Sequence, residues 1–487
     1  MAMIDSMMKN ENAQTGNRLE KIITAGLTLL VCLAPLPLGS NNPISYSIIA
    51  LMTGILLLMW VANYFLSKKL LAISFKKIWF IVLPFFLAVS WIILQISIPA
   101  PASPNLWLFN LASAALATPL RPIISLNQEQ TLDSLIRLLS YGGIFWLAMQ
   151  IGQTKGNAKR MFKAVTISAV LYALYGLIMY LTNAPYIVWR KKTSNFDVVT
   201  GTFINHNHYA TYAGICLIVT CALWISTVLR NLDDSNARLI LKTLLENIIR
   251  KGFILFNIII IIAISLMLTS SRAGTFSSLL GLIAFICATA LTKPVQNLRY
   301  VFFGIAVVVL LSLFAVLNFT GKGVLNRLAY IDYAINDRMQ IYSVTLDAIA
   351  DYKTYGSGFG TFEEIFQEYR PESMYNSREI RMCYAHNTYL ETILELGATG
   401  FAVLLLCNLG MFYICLGGLK RRTGGYIYPA AGIGIMILVG VHSLFDFSIQ
   451  LPAVAVTYFA LLGICVAGSW SSSEGTRPLS FAAWDIK

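Results

Sequence analysis

The stretch GFILFNIIIIIAISLMLTS, residues 252–270, decides the fold of this chain. It carries no formal charge and has about the 20 residues that a helix needs to cross a bilayer. Hydrocarbon cannot satisfy backbone N–H and C=O groups, so only helices and closed barrels span it. Because this stretch lacks the polar alternation of a barrel strand, it predicts a transmembrane helix.

Similar apolar runs recur along all 487 residues, of which 57% are hydrophobic and 12% charged. Soluble domains are about a quarter charged. The pattern predicts a single polytopic membrane domain over residues 1–487, an all-α integral membrane protein with about 12 transmembrane helices. The predicted spans are 22–39, 45–66, 78–96, 131–151, 161–183, 209–229, 252–270, 273–292, 299–319, 395–418, 426–447 and 452–470.

The chain has a net charge of +13, and its basic residues lie mainly in the loops between the predicted spans. Lysine and arginine concentrate in alternate short loops, as expected for loops that face the cytoplasm. Those loops include 68–77, 155–160, 230–251 and 420–422. The N- and C-termini are therefore predicted to be cytoplasmic. The first apolar run is too long for a signal peptide and is interpreted as a retained helix.

This orientation places the polar segments with unusual residues outside the cytoplasm. They are 200–208, 270–274, 442–446 and a long loop, 320–394, inserted between the ninth and tenth helices. The loop is predicted to contain short helices at 332–350 and 361–369, separated by the glycine-rich segment 356–360. Any chemistry is expected on the outer face.

His386 and Asn387 stand just outside the tenth span. An unperturbed imidazole pKa of about 6.5 suits proton transfer from a hydroxyl at neutral pH. The alternative is a helix cap that anchors the end of the span.

Arg272 lies in a very short outer turn within Ser271-Arg-Ala-Gly274. Its guanidinium could bind a phosphate at headgroup depth, or it could simply reach toward the lipid headgroups. In the long loop, Arg338 stands out through its neighbours, whereas Arg381 could be solvated surface.

The remaining histidines lie in two outer segments. His206 and His208 are two residues apart and do not share a helix face, so they favour loop structure or contacts to sugar or phosphate over a metal site. His442 and Asp446 are four apart and could pair on a helix, or merely stabilise its end.

Several nucleotide and metal motifs are absent from the sequence. It contains no Walker loop, dinucleotide-binding glycine pattern, Cys/His zinc spacing or Asp-x-Asp motif. We therefore predict no cofactor and no metal, with leaving-group charge neutralised by arginine.

The ordered set of motifs resembles the O-antigen ligase and polymerase family over roughly residues 160–465. The motifs are Gly201–Tyr209, Ser271–Gly274, Arg338, Gly356–Gly360, His386–Asn387 and Glu395–Gly397. Ligases of this family often show Arg-x-x-x-Leu, whereas Arg338 is followed at that spacing by Tyr342.

The resemblance implies a GT-C-like, inverting, metal-independent glycosyltransferase of the bacterial inner membrane. Its donor would be a glycan on undecaprenyl diphosphate, and its acceptor a hydroxyl of a glycan, lipid A-core or protein on the periplasmic face. Carried over to this chain, His386 would be the base or would orient the acceptor, while Arg272 and Arg338 would clamp the diphosphate. The implied substrate-binding residues are His206, His208, Asn387, Arg381 and His442.

Two other classes remain open, a flippase for lipid-linked glycan and a scaffold within an export machine. A transporter usually carries ionisable residues in mid-membrane and internal repeats. No repeat is visible, and the span centres are nearly free of charge, with Arg137 and Lys163 as possible exceptions near helix ends. Membrane lipids are the other expected partners, and nucleic acid is not.

Overall fold

The computed structural model describes residues 2–67, 71–99, 104–229, 242–243, 245–292, 307, 324–374, 382–422 and 424–470. In this part of the chain the protein is almost entirely helical. The helices are α1 (Ala2–Leu33), α2 (Pro43–Ser67), α3 (Trp79–Ser97), α4 (Leu106–Leu116), α5 (Gln128–Gly152), α6 (Lys155–Leu181), α7 (His206–Val228), α8 (Phe253–Met267), α9 (Arg272–Ala290), α10 (Val324–Tyr352), α11 (Phe362–Tyr369), α12 (Thr388–Arg421), α13 (Ile427–His442) and α14 (Pro452–Gly468).

Among the described residues, eight helices are long and apolar enough to cross a bilayer. They confirm a helical membrane protein and correspond to the second to eighth and the tenth predicted spans. The eleventh and twelfth correspond to the shorter apolar helices α13 and α14. The ninth, 299–319, lies almost wholly outside the described residues, so the count of 12 stays a prediction.

Two predicted spans deserve comment on their ends. α1 stops at Leu33, six residues before the predicted end, and turns follow it. Pro35 and Pro37 explain the early stop, because proline lacks the N–H that a helix interior needs. The fourth span, despite Asp133 and Arg137, forms the complete helix α5.

The core of the bundle is built around α7 and α14. Nearly every side chain of α14 is buried, and so is most of α7. By contrast, α2 and α8 expose large apolar side chains such as Leu58, Phe65 and Ile254. Such outward apolar faces are expected where lipid tails, not water, surround the helices.

A second, smaller core lies outside the bundle in the predicted long loop. There α10 and α11 pack on the start of α12 through Ile341, Val344, Phe362, Ile365 and Leu394. The predicted helix 361–369 is confirmed as α11. The predicted helix 332–350 is part of the longer α10, which has 29 residues.

The glycine-rich segment and the start of α12 hold each other in place. α12 is interrupted at Gly397, whose φ of 70° is left-handed, and Gly356 has a φ of 73°. The interruption frees backbone carbonyls: Trp91 Nε1 donates to the Leu396 carbonyl at 2.9 Å, and Gln95 Nε2 donates to that of Glu395 at 2.8 Å. Side chains of α3 thus donate hydrogen bonds to the backbone carbonyls that the interruption leaves without helical partners. Such bonds are needed because backbone groups cannot stay unpaired in hydrocarbon.

Replacing Gly397 with alanine should destabilise this junction. An added Cβ would lie 2.7 Å from the Thr354 carbonyl oxygen, at a φ that side chains rarely adopt. We expect a loss of about 1–3 kcal/mol in the free energy of unfolding, as is common for strained backbone positions. Thermal unfolding of the purified protein measures it. Gly424→Ala is the matched control because nothing lies within 4 Å of its added Cβ, and equal melting of the two variants would contradict the prediction.

Two elements were not predicted. α4 lies between the third and fourth spans and has no buried residue, and a short hairpin pairs β1 (Tyr186–Ile187) with β2 (Arg190–Lys191). Both are too short to produce a clear periodic signal.

Candidate functional site

Two helix starts lie side by side at one end of the bundle. α7 begins after Asn205, whose side chain accepts a hydrogen bond from the Asn207 N–H. α9 begins after Ser271, whose hydroxyl accepts from the Gly274 N–H and donates to Asn207 Oδ1 at 2.6 Å. The cap of one helix therefore fixes the other, which brings Arg272 next to the segment that carries His206 and His208.

Asp446 is the centre of the polar cluster at this end. Its side chain is 1% exposed. His386 Nδ1 lies 3.5 Å from Asp446 Oδ1, and His208 Nε2 lies 3.7 Å from Oδ2. The Ser448 hydroxyl donates to Oδ2, and Thr388 Oγ1 donates to the Asp446 backbone carbonyl at 3.0 Å. One buried carboxylate therefore joins α7, the start of α12 and the loop after α13.

An aromatic side chain packs against both histidines. The Phe447 ring lies edge-on to His208 and His386, with centroids 4.7 and 5.1 Å away. Its other neighbour is Tyr384, which stacks on it at 3.9 Å. Packing of this kind fixes ring orientations, which a catalytic imidazole requires.

His386 is held in an unusual backbone conformation. Its φ of 53° is left-handed, which is uncommon outside glycine and tends to occur at functional sites. The Tyr342 hydroxyl donates to the His386 carbonyl at 3.1 Å. A leucine, which ligases often carry at this spacing from the arginine, could not make that bond.

Four buried polar atoms of the cluster have no hydrogen-bond partner among the described residues. They are His208 Nε2, His386 Nδ1, His442 Nε2 and Asp446 Oδ1. Buried polar atoms are rarely left unbonded in a protein. His386 Nδ1 and Asp446 Oδ1 face each other at 3.5 Å, so the atoms available to water or a polar ligand are His442 Nε2 and His208 Nε2.

Thr211 ties His442 to the start of α7. Thr211 Oγ1 lies 2.7 Å from His442 Nδ1 and 3.1 Å from the Asn207 carbonyl oxygen. The other ring nitrogen, Nε2, is buried and has no hydrogen-bond partner among the described residues.

The electrostatics of the cluster favour an ionised Asp446. Burial alone would raise its pKa, but His386, His208, His442 and the Ser448 hydroxyl together hold that pKa below its ordinary value. Burial raises the pKa of Tyr342, with the charge of Arg338 opposing and that of Asp446 adding to this effect. Arg338 lies one helical turn before Tyr342 on α10, and the Tyr342 hydroxyl donates to the His386 carbonyl.

Arg272 and Arg338 have no hydrogen bond or ion pair to protein in the portion of the chain that the structure describes. Arg272 is exposed and Arg338 half-buried, and Arg338 also lies within electrostatic range of His442. A guanidinium without a protein partner suits an anionic ligand.

The structure assigns some predicted residues other roles. Asn387 caps α12, with its Oδ1 accepting from the Tyr389 and Leu390 N–H groups, so this oxygen is already used. His206 lies within electrostatic range of His208, but its Nδ1 donates to the Thr269 carbonyl at 2.8 Å. Arg381 lies outside the described residues.

The sequence left open whether His442 and Asp446 pair on a helix or stabilise a helix end. α13 ends at His442 and a turn follows, in which the Asp446 N–H donates to the His442 carbonyl at 3.0 Å. The Asp446 side chain also approaches His208 and His386, which are distant in sequence. Its importance was therefore missed when the site residues were predicted, although the sequence had drawn attention to it through His442.

The geometry holds the His386 imidazole against the buried Asp446 carboxylate. The central part of the chain is similar to a known family. The family model described as O-antigen ligase matches residues 257–405. None of the curated proteins matches the chain closely enough to be compared with it. The match covers α8, α9, α10, α11 and part of α12, and so includes Arg272, Arg338 and His386.

Proposed function

We propose, from this chain's membership of the O-antigen ligase and polymerase family, that it transfers a glycan from undecaprenyl diphosphate to an acceptor hydroxyl. The transfer would invert the anomeric carbon and need no metal. The observation that carries this proposal is the contact between His386 and the buried Asp446 carboxylate. A membrane-embedded glycosyltransferase of the ligase or polymerase type uses such groups at headgroup depth.

His386 is the general base in this proposal. With Nδ1–H directed at Asp446, the ring would present Nε2 to the acceptor hydroxyl. Nε2 takes the hydroxyl proton as the oxygen attacks the anomeric carbon, and the bond to the diphosphate breaks. Ionised Asp446 stabilises the imidazolium that forms and keeps the ring in the productive tautomer, as carboxylates do in other His-based sites.

Arg272 and Arg338 would neutralise the diphosphate as it leaves. A guanidinium presents a fixed fork of N–H donors that matches phosphate oxygens. Charge stabilisation in a partly dry site is worth far more than in water. Because the sequence has no Asp-x-Asp motif to hold a divalent ion, arginine is the available source of positive charge.

His208 and His442 would contact sugar hydroxyls or phosphate oxygens next to the base. Both carry a buried Nε2 without a hydrogen-bond partner among the described residues. An imidazole nitrogen can donate to or accept from a sugar hydroxyl, depending on the tautomer.

The basic short loops support an inner-membrane location with both termini in the cytoplasm. The site end of the bundle, which carries segments 205–208, 269–272, 386–388 and 442–448, would then face the periplasm. A donor that is already activated by its diphosphate needs no ATP there.

Reconstitution tests the proposal. The purified protein in liposomes should convert undecaprenyl-diphosphate-linked glycan and acceptor into product plus undecaprenyl diphosphate, with an inverted linkage by NMR. The rate should be unchanged by EDTA because arginines, not a metal, neutralise the leaving group. Movement of labelled donor between leaflets without any new glycosidic bond would instead indicate a transporter.

A further inference from the structure

A large cavity lies beside the histidine cluster and is separate from it. Its volume is about 800 Å³, in the range of cavities that hold drug-sized ligands. Side chains of α5, α12, α13 and α14 line it, whereas the four histidines, Arg272 and Arg338 do not. Its polar end adjoins the cluster through Tyr384, which stacks on Phe447, and through Thr388, which donates to the Asp446 carbonyl.

The lining changes from polar to apolar at the same depth on two helices. Along α5, Gln130 and Ser134 come before Arg137, and Leu138 and Tyr141 come after it. Along α12, polar side chains up to Glu395 give way to mainly apolar ones from Phe401 onward, with Asn408 as an exception. Gly360 donates to the Glu395 carboxylate and lies against Ser134, one turn before Arg137, so the two boundaries lie at one level.

Arg137 therefore marks the boundary between the two halves of the cavity. It lies nine residues into α5, about 14 Å along the helix at 1.5 Å per residue. The expectation that it sits near a helix end is wrong. Such an arginine within a span is usually functional.

Among the described residues, the Arg137 guanidinium donates hydrogen bonds to neutral groups only. Its Nη2 donates to Ser134 Oγ at 3.0 Å, and the group lies 5.1 Å from the Tyr46 ring centroid. No carboxylate of the described residues forms an ion pair with it within 4 Å. The nearby Glu395 carboxylate is buried and accepts from the Phe362 N–H at 3.2 Å.

We propose that this cavity binds a lipid-linked saccharide as the acceptor. The phosphate that joins lipid and sugar would bind Arg137. The hydrocarbon tail would lie along the apolar half, formed by Phe401, Leu404, Leu405 and Met436, and the sugar would face the polar half. That half carries amide, carboxylate and aromatic side chains, which suit sugar hydroxyls and ring faces.

This inference rests on the proposed function, because the donor diphosphate is assigned there to Arg272 and Arg338. A second lipid phosphate site is then an acceptor site. It favours a lipid-carried acceptor over a protein hydroxyl. The acceptor sugar would approach His386 past the Tyr384–Phe447 pair.

Binding measurements on the full-length protein test the inference without any turnover. The background variant is Arg272→Gln/Arg338→Gln, which removes the donor site, and the probe is undecaprenyl phosphate in detergent, measured by native mass spectrometry. Adding Arg137→Gln should weaken binding about tenfold to hundredfold, the range for hydrogen bonds to a charged group. Binding of undecaprenol, which lacks the phosphate, should not change.

The tail half of the cavity is tested by a matched pair of variants. Leu405 lines the cavity, whereas its neighbour Leu406 does not and is 52% exposed. Leu405→Trp should weaken undecaprenyl phosphate binding at least about threefold, while Leu406→Trp should leave it unchanged. This pair also covers the case in which Arg137→Gln fails to fold.

Equal binding with and without Arg137, or equal effects of the two tryptophans, would overturn the inference. So would Arg137-dependent binding of phosphatidylglycerol as tight as that of undecaprenyl phosphate, because the cavity would then hold ordinary bilayer lipid. His386→Ala should bind the probe normally. If that variant also retained transferase activity, the proposed function would fail while the binding result still stood.

Discussion

His386→Ala should lower glycan transfer by about a thousandfold, within the range that a general base contributes. Cells that carry the variant should accumulate lipid-linked glycan and show no attached or lengthened product on gels. Asp446→Asn should lower transfer less, by about tenfold to a hundredfold, since the base remains but loses the group that orients it.

Matched variants separate this role from a structural one. His206→Ala removes a histidine of the same end of the bundle whose Nδ1 is bonded to the Thr269 carbonyl, and it should cost at least ten times less activity than His386→Ala. Asp347→Asn removes an exposed carboxylate of α10 and should be harmless. If a folded His386→Ala protein formed as much product as the wild type, His386 would not be the general base.

Replacing Arg272 and Arg338 together with glutamine should also lower transfer by about a thousandfold. Each donor to a developing negative charge is typically worth a factor of about 10²–10³, and two groups that act on one diphosphate are not additive, so the pair is expected near the upper end of the single value. The double lysine variant should retain more activity, because it keeps the charges but loses the forked geometry. Initial rates with saturating acceptor measure both.

An arginine at the other end of the bundle provides the control. Arg160 donates to Asn157 Oδ1 at 3.0 Å, near the start of α6 and far along the chain from the cluster. Arg160→Gln should keep wild-type rates. If the double glutamine variant also kept them, these arginines would be surface charges and the protein a candidate for a scaffold.

Most helices of the bundle follow from composition and length. An uncharged run of about 20 residues has one stable arrangement in hydrocarbon, so stretches such as 252–270 become helices in almost any context. Helix ends are less determined. Where proline follows, as at Pro35, the stop can be inferred, but the extension of α12 back to Thr388 depends on the Asn387 cap and on bonds from α3.

The site was only partly predictable for a related reason. His386, Arg272 and Arg338 were found through family motifs, and no spacing in the sequence says that Asp446 lies 3.5 Å from His386. That contact depends on how α7, α12 and α13 pack. The spacing of four residues drew attention only to His442, which lies at the end of α13 and accepts a hydrogen bond from the Asp446 N–H.

The position of Arg137 within α5 was also not predictable from the sequence. Placing the start of the fourth span at residue 131 instead of Gln128 moved this arginine toward a helix end. Its position between a polar and an apolar lining is visible only when α5 and α12 face each other.

A cryo-electron microscopy structure with undecaprenyl diphosphate bound would test the central claim most directly. The account predicts diphosphate oxygens within about 3.2 Å of the guanidinium groups of both Arg272 and Arg338. It also predicts that His386 Nε2 faces the position that the sugar would occupy. A diphosphate bound elsewhere, with the two arginines directed to separate surfaces, would contradict it.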